Sequence, residues 1–217
     1  MKKKVFASLL LTGMVLGLGQ AAFAEEKLPT GYDEIDNGDG TQYDPATGVE
    51  IPVNGTLGKL DNTDENENIP EGDDRWIHVT LPTSVAFNTN PEDNTKISAY
   101  KYNVKNLSGR PIQVNLASFS GDDVPAISTL ELAPSQAGEK IELVKDGKVT
   151  ATEQELVSNL AAKTGDYEFT YSGNVDPTKI KDEATKDGES PSQKVSYKMN
   201  LKFEVLNADG TPVIGTK

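Results

Sequence analysis

A chain of 217 residues with 34 acidic and 21 basic side chains carries a formal charge of −13, and it contains no cysteine. The excess of acid argues against nucleic acid or anionic lipid as a partner, because polyanions are held by basic surfaces. The missing thiols exclude a disulfide framework, a thiolate metal site, a cysteine nucleophile and lipid attachment through cysteine.

The first 24 residues, "MKKKVFASLLLTGMVLGLGQAAFA", read as a secretory signal. Lys2, Lys3 and Lys4 form a basic head, Val5 to Leu18 an apolar run, and Ala22-Phe23-Ala24 a small-x-small cleavage site. The run is shorter than the roughly 18 residues of a membrane span, so no stable span is expected once the signal is cut. Cleavage after Ala24 leaves 193 residues with 18 basic and 34 acidic side chains, a formal charge of −16. An exported chain without cysteine and with this composition looks like a Gram-positive bacterial product.

Residues 25–75 hold 15 acidic side chains against Lys27, Lys59 and Arg75, with Tyr32 and Tyr43 as the only aromatics. Low hydrophobicity with high charge cannot offset the entropy of ordering, so this stretch is expected to be loosely folded, with residues 25–48 a flexible acidic arm. Within the arm, "KLPTG" at 27–31 is one residue short of a sortase signal and lies at the wrong end of the chain. "IDNGDGTQYDPATG" has the glycine of a calcium loop at Gly40, with Asn37 and Asp39 at ligand positions. It places Ile35 and Ala46 where the first carboxylate and the closing glutamate belong. A turn-rich linker fits better. "VEIPVNGTLG", residues 49–58, is a candidate first strand of the domain that follows.

Beyond Arg75 short alternating segments are separated by turn signals, the pattern of a sandwich or barrel. "RWIHVTL" turns Ile77, Val79 and Leu81 one way, and "SVAF" follows Pro82. "AYKYNV" aligns Tyr100, Tyr102 and Val104, and "PIQVNL" aligns Ile112, Val114 and Leu116. "STLEL", "KIELV" and "DYEFTY" come next, the last with Tyr167, Phe169 and Tyr171 on one side. "NLSGRP" at 106–111 is a turn, and "KDGK" at 145–148 a tight hairpin. "TEQELVSNLAAKTG" predicts a helix over about 152–163, from Thr152 and Glu155 in capping-box spacing, Leu156 and Leu160 on one face, and a stop at Gly165. The polar stretch 173–193 reads as an exposed loop.

The last segment, "SYKMNLKFEVL", is the longest clean alternation: Tyr197, Met199, Leu201, Phe203 and Val205 on one face, Lys198, Asn200, Lys202 and Glu204 on the other. It is expected to close the domain as an interior strand. These elements predict an all-β chain: an immunoglobulin-like antiparallel β-sandwich over residues 49–217, with one short helix, behind the acidic arm. The segment also resembles the C-terminal signature of the WxL surface-protein family of Gram-positive bacteria, a strand Y-x-x-x-L-T-W-x-L followed by an acidic turn and proline. Tyr197 and Leu201 hold the first two positions and Lys202 replaces the threonine. Phe203-Glu204-Val205 stands where Trp-x-Leu would be, and Asp209 and Pro212 follow at longer spacing. The single tryptophan, Trp76, does not restore the motif; it reads as a core or edge aromatic at the start of the domain. The resemblance implies noncovalent association with cell-wall peptidoglycan and assembly with other exported surface proteins.

Catalysis finds little support. The single histidine, His78, alternates with Ile77 and Val79 and should face outward, and neither a G-x-S-x-G turn nor an H-E-x-x-H pair is present. The expectation is a secreted, cell-surface, non-enzymatic protein without a cofactor. The alternative is an adhesin or assembly subunit that binds a protein through an exposed sheet edge. A carbohydrate module would need an exposed aromatic platform. N-terminal sequencing of the secreted protein should find Glu25 first; retention of Met1 would reject export.

Overall fold

The computed structural model describes residues 51–135, 138–181 and 192–214, together with Leu28, Thr30, Tyr32, residues 34–36, Gly38, residues 44–46, Gly48 and Val49. The signal, most of the acidic arm and residues 182–191 of the 173–193 loop therefore lie outside the described residues. Among the described residues eleven strands follow one another: β1 (Val79–Thr80), β2 (Phe87–Asn90), β3 (Asp93–Ala99), β4 (Tyr102–Asn106), β5 (Ile112–Gly121), β6 (Ile127–Pro134), β7 (Ile141–Lys145), β8 (Lys148–Val149), β9 (Gln154–Leu160), β10 (Asp166–Val175) and β11 (Tyr197–Val205). All pairings are antiparallel. The larger sheet runs β1-β4-β10-β6-β7-β8, with β3 also on β10 and β2 on β3, and the smaller runs β11-β5-β9. The two sheets pack as an all-β sandwich.

Alternation on the facing surfaces builds the core. Ile112, Val114 and Leu116 of β5 meet Val104 of β4, Leu130 and Leu132 of β6 and Leu143 of β7, all buried in one cluster. The aromatics of β10 form its spine: Tyr167 stacks on Phe169 at 5.8 Å between ring centroids, and Phe169 meets Tyr171 edge-on at 6.1 Å. Such pairs add about 0.5–1.5 kcal/mol beyond their burial. The "KDGK" hairpin joins β7 to β8 with Asp146 at φ 48° and Gly147 at φ 79°, two left-handed residues whose twist matches the flanking strands.

Several expectations are corrected. The segment expected to be a helix is β9. Its leucines, 156 and 160, are four apart, a spacing that suits one helical turn and two strand repeats equally, and Ser158 and Asn159 favour neither. The available edge of β5 decides, pairing Ile112 with Leu160 and Val114 with Val157. The second strand begins only at Phe87, the last residue of "SVAF", and runs on to Asn90, and β3 had no apolar alternation to announce it. Tyr100 lies between strands and is exposed. Among the described residues β11 is an edge strand rather than an interior one, bonded to β5 alone.

The N-terminal expectations shift in opposite directions. Residues 51–58 form no strand, and Ile51, Val53 and Leu57 stand in solvent. Residues 60–76, expected to be loose, are ordered against the end of the sandwich. Acids do this work here. The side chains of Asp61, Asp64 and Asp73 accept the N–H groups of Thr63, Asn66 and Arg75 at 3.0, 3.0 and 2.9 Å, so each closes a turn locally. Glu67 accepts the N–H groups of Asp61 and Asn68, both at 2.8 Å. The Thr63 hydroxyl on Asp61 and the Arg75 guanidinium on Asp73, and after them these N–H bonds, hold both carboxyl groups below the usual carboxylate range, and the N–H of Asp61 does the same for Glu67.

Burial pushes the hydroxyls of Tyr167 and Tyr171 up to about 12, whereas an unfolded tyrosine ionises near about 10. The folded state thus holds protons that the unfolded state releases, so this contribution to stability is intact below about pH 10 and is lost as pH rises towards 12. Thermal melts should fall across that window, with a late rise in tyrosinate absorbance coincident with unfolding. Tyr167→Phe, which removes a hydroxyl without a partner among the described residues, should flatten the fall without lowering stability at neutral pH.

Candidate functional site

β11 is held along its whole length by β5, from Tyr197 opposite Gly121 to Val205 opposite Ile112. Its other edge is unpaired among the described residues. Tyr197, Met199, Leu201 and Phe203 turn inward but are only half-buried, Val205 is buried, and Lys198, Asn200 and Lys202 face solvent. Opposite the open edge runs the segment 81–85 between β1 and β2, whose Leu81 is half exposed. Between them lies a groove of 470 Å³ floored by Phe169 and walled by Tyr197, Met199, Leu201 and Phe203, a volume within the roughly 300–1,000 Å³ of ligand pockets.

The groove continues past Tyr197 into a second hollow of 230 Å³ lined by Val85, Phe87, Phe119, Tyr171 and Val195. Tyr197 sits at the junction. Its ring stacks on Phe119 at 5.1 Å, and it lies against Gly121, where any side chain would collide with the ring. The Tyr197 hydroxyl has no hydrogen-bond partner among the described residues. Burial, and then the carboxylates of Asp123 and Asp122, raise its pKa.

The far end of β11 enters a different environment. Val205 joins Trp76 and Ile69 in a second buried cluster, with Leu60 and Ile77 packed around it. Trp76 is 0% exposed. Its indole N–H donates to the Pro70 carbonyl at 3.1 Å, and the Arg110 guanidinium carbon stands 4.2 Å from its ring centroid. Arg110 in turn forks onto Glu71, with Nη2 2.6 Å and Nε 3.1 Å from Oε1. A ring sealed in this way serves packing and is no platform for a sugar.

Of the five residues singled out by sequence, the structure therefore brings Tyr197, Leu201 and Phe203 together in the groove and Trp76 with Val205 at the end of the sandwich. His78 is exposed, and its carbonyl accepts the Leu107 N–H at 2.8 Å. Leu81, Phe119 and Met199 were not anticipated as groove residues, because nothing local in the sequence pairs the 81–85 segment with a strand more than a hundred residues later. No family model matches the chain, and no curated protein matches it as a relative.

The half-burial of the groove residues sets a measurable contrast. Leu132→Ala, at a fully buried site, should cost about 2–5 kcal/mol. Phe203→Ala should cost less than the roughly 3–5 kcal/mol of a fully buried phenylalanine, and Lys198→Ala under about 0.5 kcal/mol. Denaturant midpoints check the order; a loss at Phe203 equal to that of a sealed core residue would show that the groove closes in solution.

Proposed function

We propose that this chain is an exported, non-enzymatic protein of the Gram-positive cell surface that associates noncovalently with the wall, with peptidoglycan as the wall ligand, and with other exported surface proteins. One observation supports this reading above the rest: the strand that resembles the family signature lies at a sheet edge and leaves its apolar face partly uncovered beside a groove. An unpaired edge is a template for association, and proteins normally blunt or cover it. A strand kept only for stability would gain by being sealed. The signal-like leader and the cysteine-free acidic composition point the same way.

The same open edge favours a second reading, in which the main ligand is a protein strand rather than a glycan. Main-chain bonds along β11 would give affinity, and the alternating hollows of the groove would give selectivity.

Sedimentation with purified peptidoglycan tests the first reading. The mature chain should pellet with washed walls and be released by chaotrope, and Leu81→Glu, a change at a half-exposed groove residue, should shift most of it to the supernatant. A wild-type chain that remains in the supernatant while binding an exported protein would refute wall association and leave the second reading.

A further inference from the structure

We propose that the groove beside β11 receives residues 49–57 of a second copy of this chain, added as a strand antiparallel to β11. This rests on the groove being a docking surface, as argued above, but not on its binding the wall.

The donor is an apolar segment that no described residue covers. Ile51, Val53 and Leu57 are 78%, 93% and 101% exposed and Val49 is also exposed, and their spacing at odd positions matches the two-residue repeat of a strand. The acceptor is an open edge with an apolar face of the same periodicity. With Ile51 opposite Leu201, Val49 meets Phe203, Val53 meets Met199, and Leu57 reaches Val195 in the second hollow. Gly55 then lies opposite Tyr197, so the bulkiest acceptor ring meets no side chain.

Pro52 fits this arrangement and no other face. In a strand, the odd residues that turn their side chains into the groove can direct their peptide groups to β11, while even residues direct theirs away. Pro52 lacks an N–H on the outward side, so the added strand carries its own block to further pairing. Charge does not oppose it: residues 49–57 carry no basic side chain, and β11 presents Lys198 outward.

The chain cannot fill its own groove in this register. Leu60 packs with Trp76 and Val205, and Asn68 holds the Thr56 hydroxyl at 2.9 Å. The antiparallel register needs Leu57 at Val195, some 34 Å away at about 3.4 Å per residue, and three residues span at most about 11 Å. Each chain thus offers one donor and one acceptor, which yields either a reciprocal dimer or an open chain of copies.

Two dead halves test this. Ile51→Glu spoils the donor and Leu81→Glu the acceptor, both at exposed positions where folding should be kept. In analytical ultracentrifugation the wild type should associate with rising concentration, each variant alone should stay monomeric, and an equimolar mixture should form one-to-one dimers. Because the chain has no cysteine, Asn54→Cys and Lys198→Cys can be mixed as single variants. Opposed residues lie about 4.5–5.5 Å apart, and mild oxidation should join one of each. A monomeric wild type, or a double Asn54→Cys/Lys198→Cys chain that closes on itself while the mixed singles stay unlinked, would overturn the proposal. Cross-linking by a chain that ignores purified walls would instead overturn wall association and leave strand donation standing.

Discussion

The connection from β4 to β5, Asn106 to Pro111, is the constraint on which the rest of the structure hangs. It carries the chain from the larger sheet to the smaller across one end of the sandwich, so its peptide groups leave both ladders in a place closed to water. Asn106 and Ser108 are fully buried. The Asn106 amide donates to the carbonyls of Arg110 at 2.8 Å and Leu160 at 3.0 Å, and its oxygen accepts the Ser108 N–H at 2.9 Å. A buried donor left unmet here would cost about 1–3 kcal/mol, which is why small polar side chains occupy an otherwise apolar junction.

Everything that arrives at this end bonds to the same six residues. Leu107 donates to His78, Gly109 to Asn62 at 2.7 Å, Lys163 to Ser108 and Leu206 to Pro111, the last two both at 3.0 Å. Gly109 is required by this convergence: a Cβ there would stand 2.9 Å from the backbone of Asp64 and Glu65. Arg110 completes the attachment, spanning from the Glu65 carbonyl at 2.7 Å to Glu71 while covering the face of Trp76. The ion pair is weak evidence of net stability by itself. Its planar fork fixes a polar segment in one position beside an apolar ring.

That anchoring has a consequence at the opposite side of β11. One end of the strand is pinned by Leu206 and sealed by Trp76, while the stretch from Tyr197 to Phe203 faces a groove. The strand is therefore rigid and positioned, yet incompletely covered, the combination that binding by strand addition requires. The ordered segment 60–76 also presents residues 51–57 outward from a fixed base.

The sequence by itself determined the local features. Two-residue alternation marked β4, β5, β7, β10 and β11, Asp146-Gly147 marked the hairpin, and the inward set of β11 was legible down to single residues, because side-chain direction in a strand follows parity. Only the tertiary structure decided what each strand lies beside. Leucines four apart could not distinguish β9 from a helix until β5 offered an edge, and alternation could not say whether β11 was interior or terminal in its sheet. The order in residues 60–76 was hidden for a related reason. It comes from Asp side chains closing turns, from the segment's own Trp76, and from one arginine and one glycine contributed by distant positions, so average hydrophobicity gave no sign of it. The groove is the extreme case: its two walls are separated by more than a hundred residues, and it exists only because the smaller sheet stops at β11.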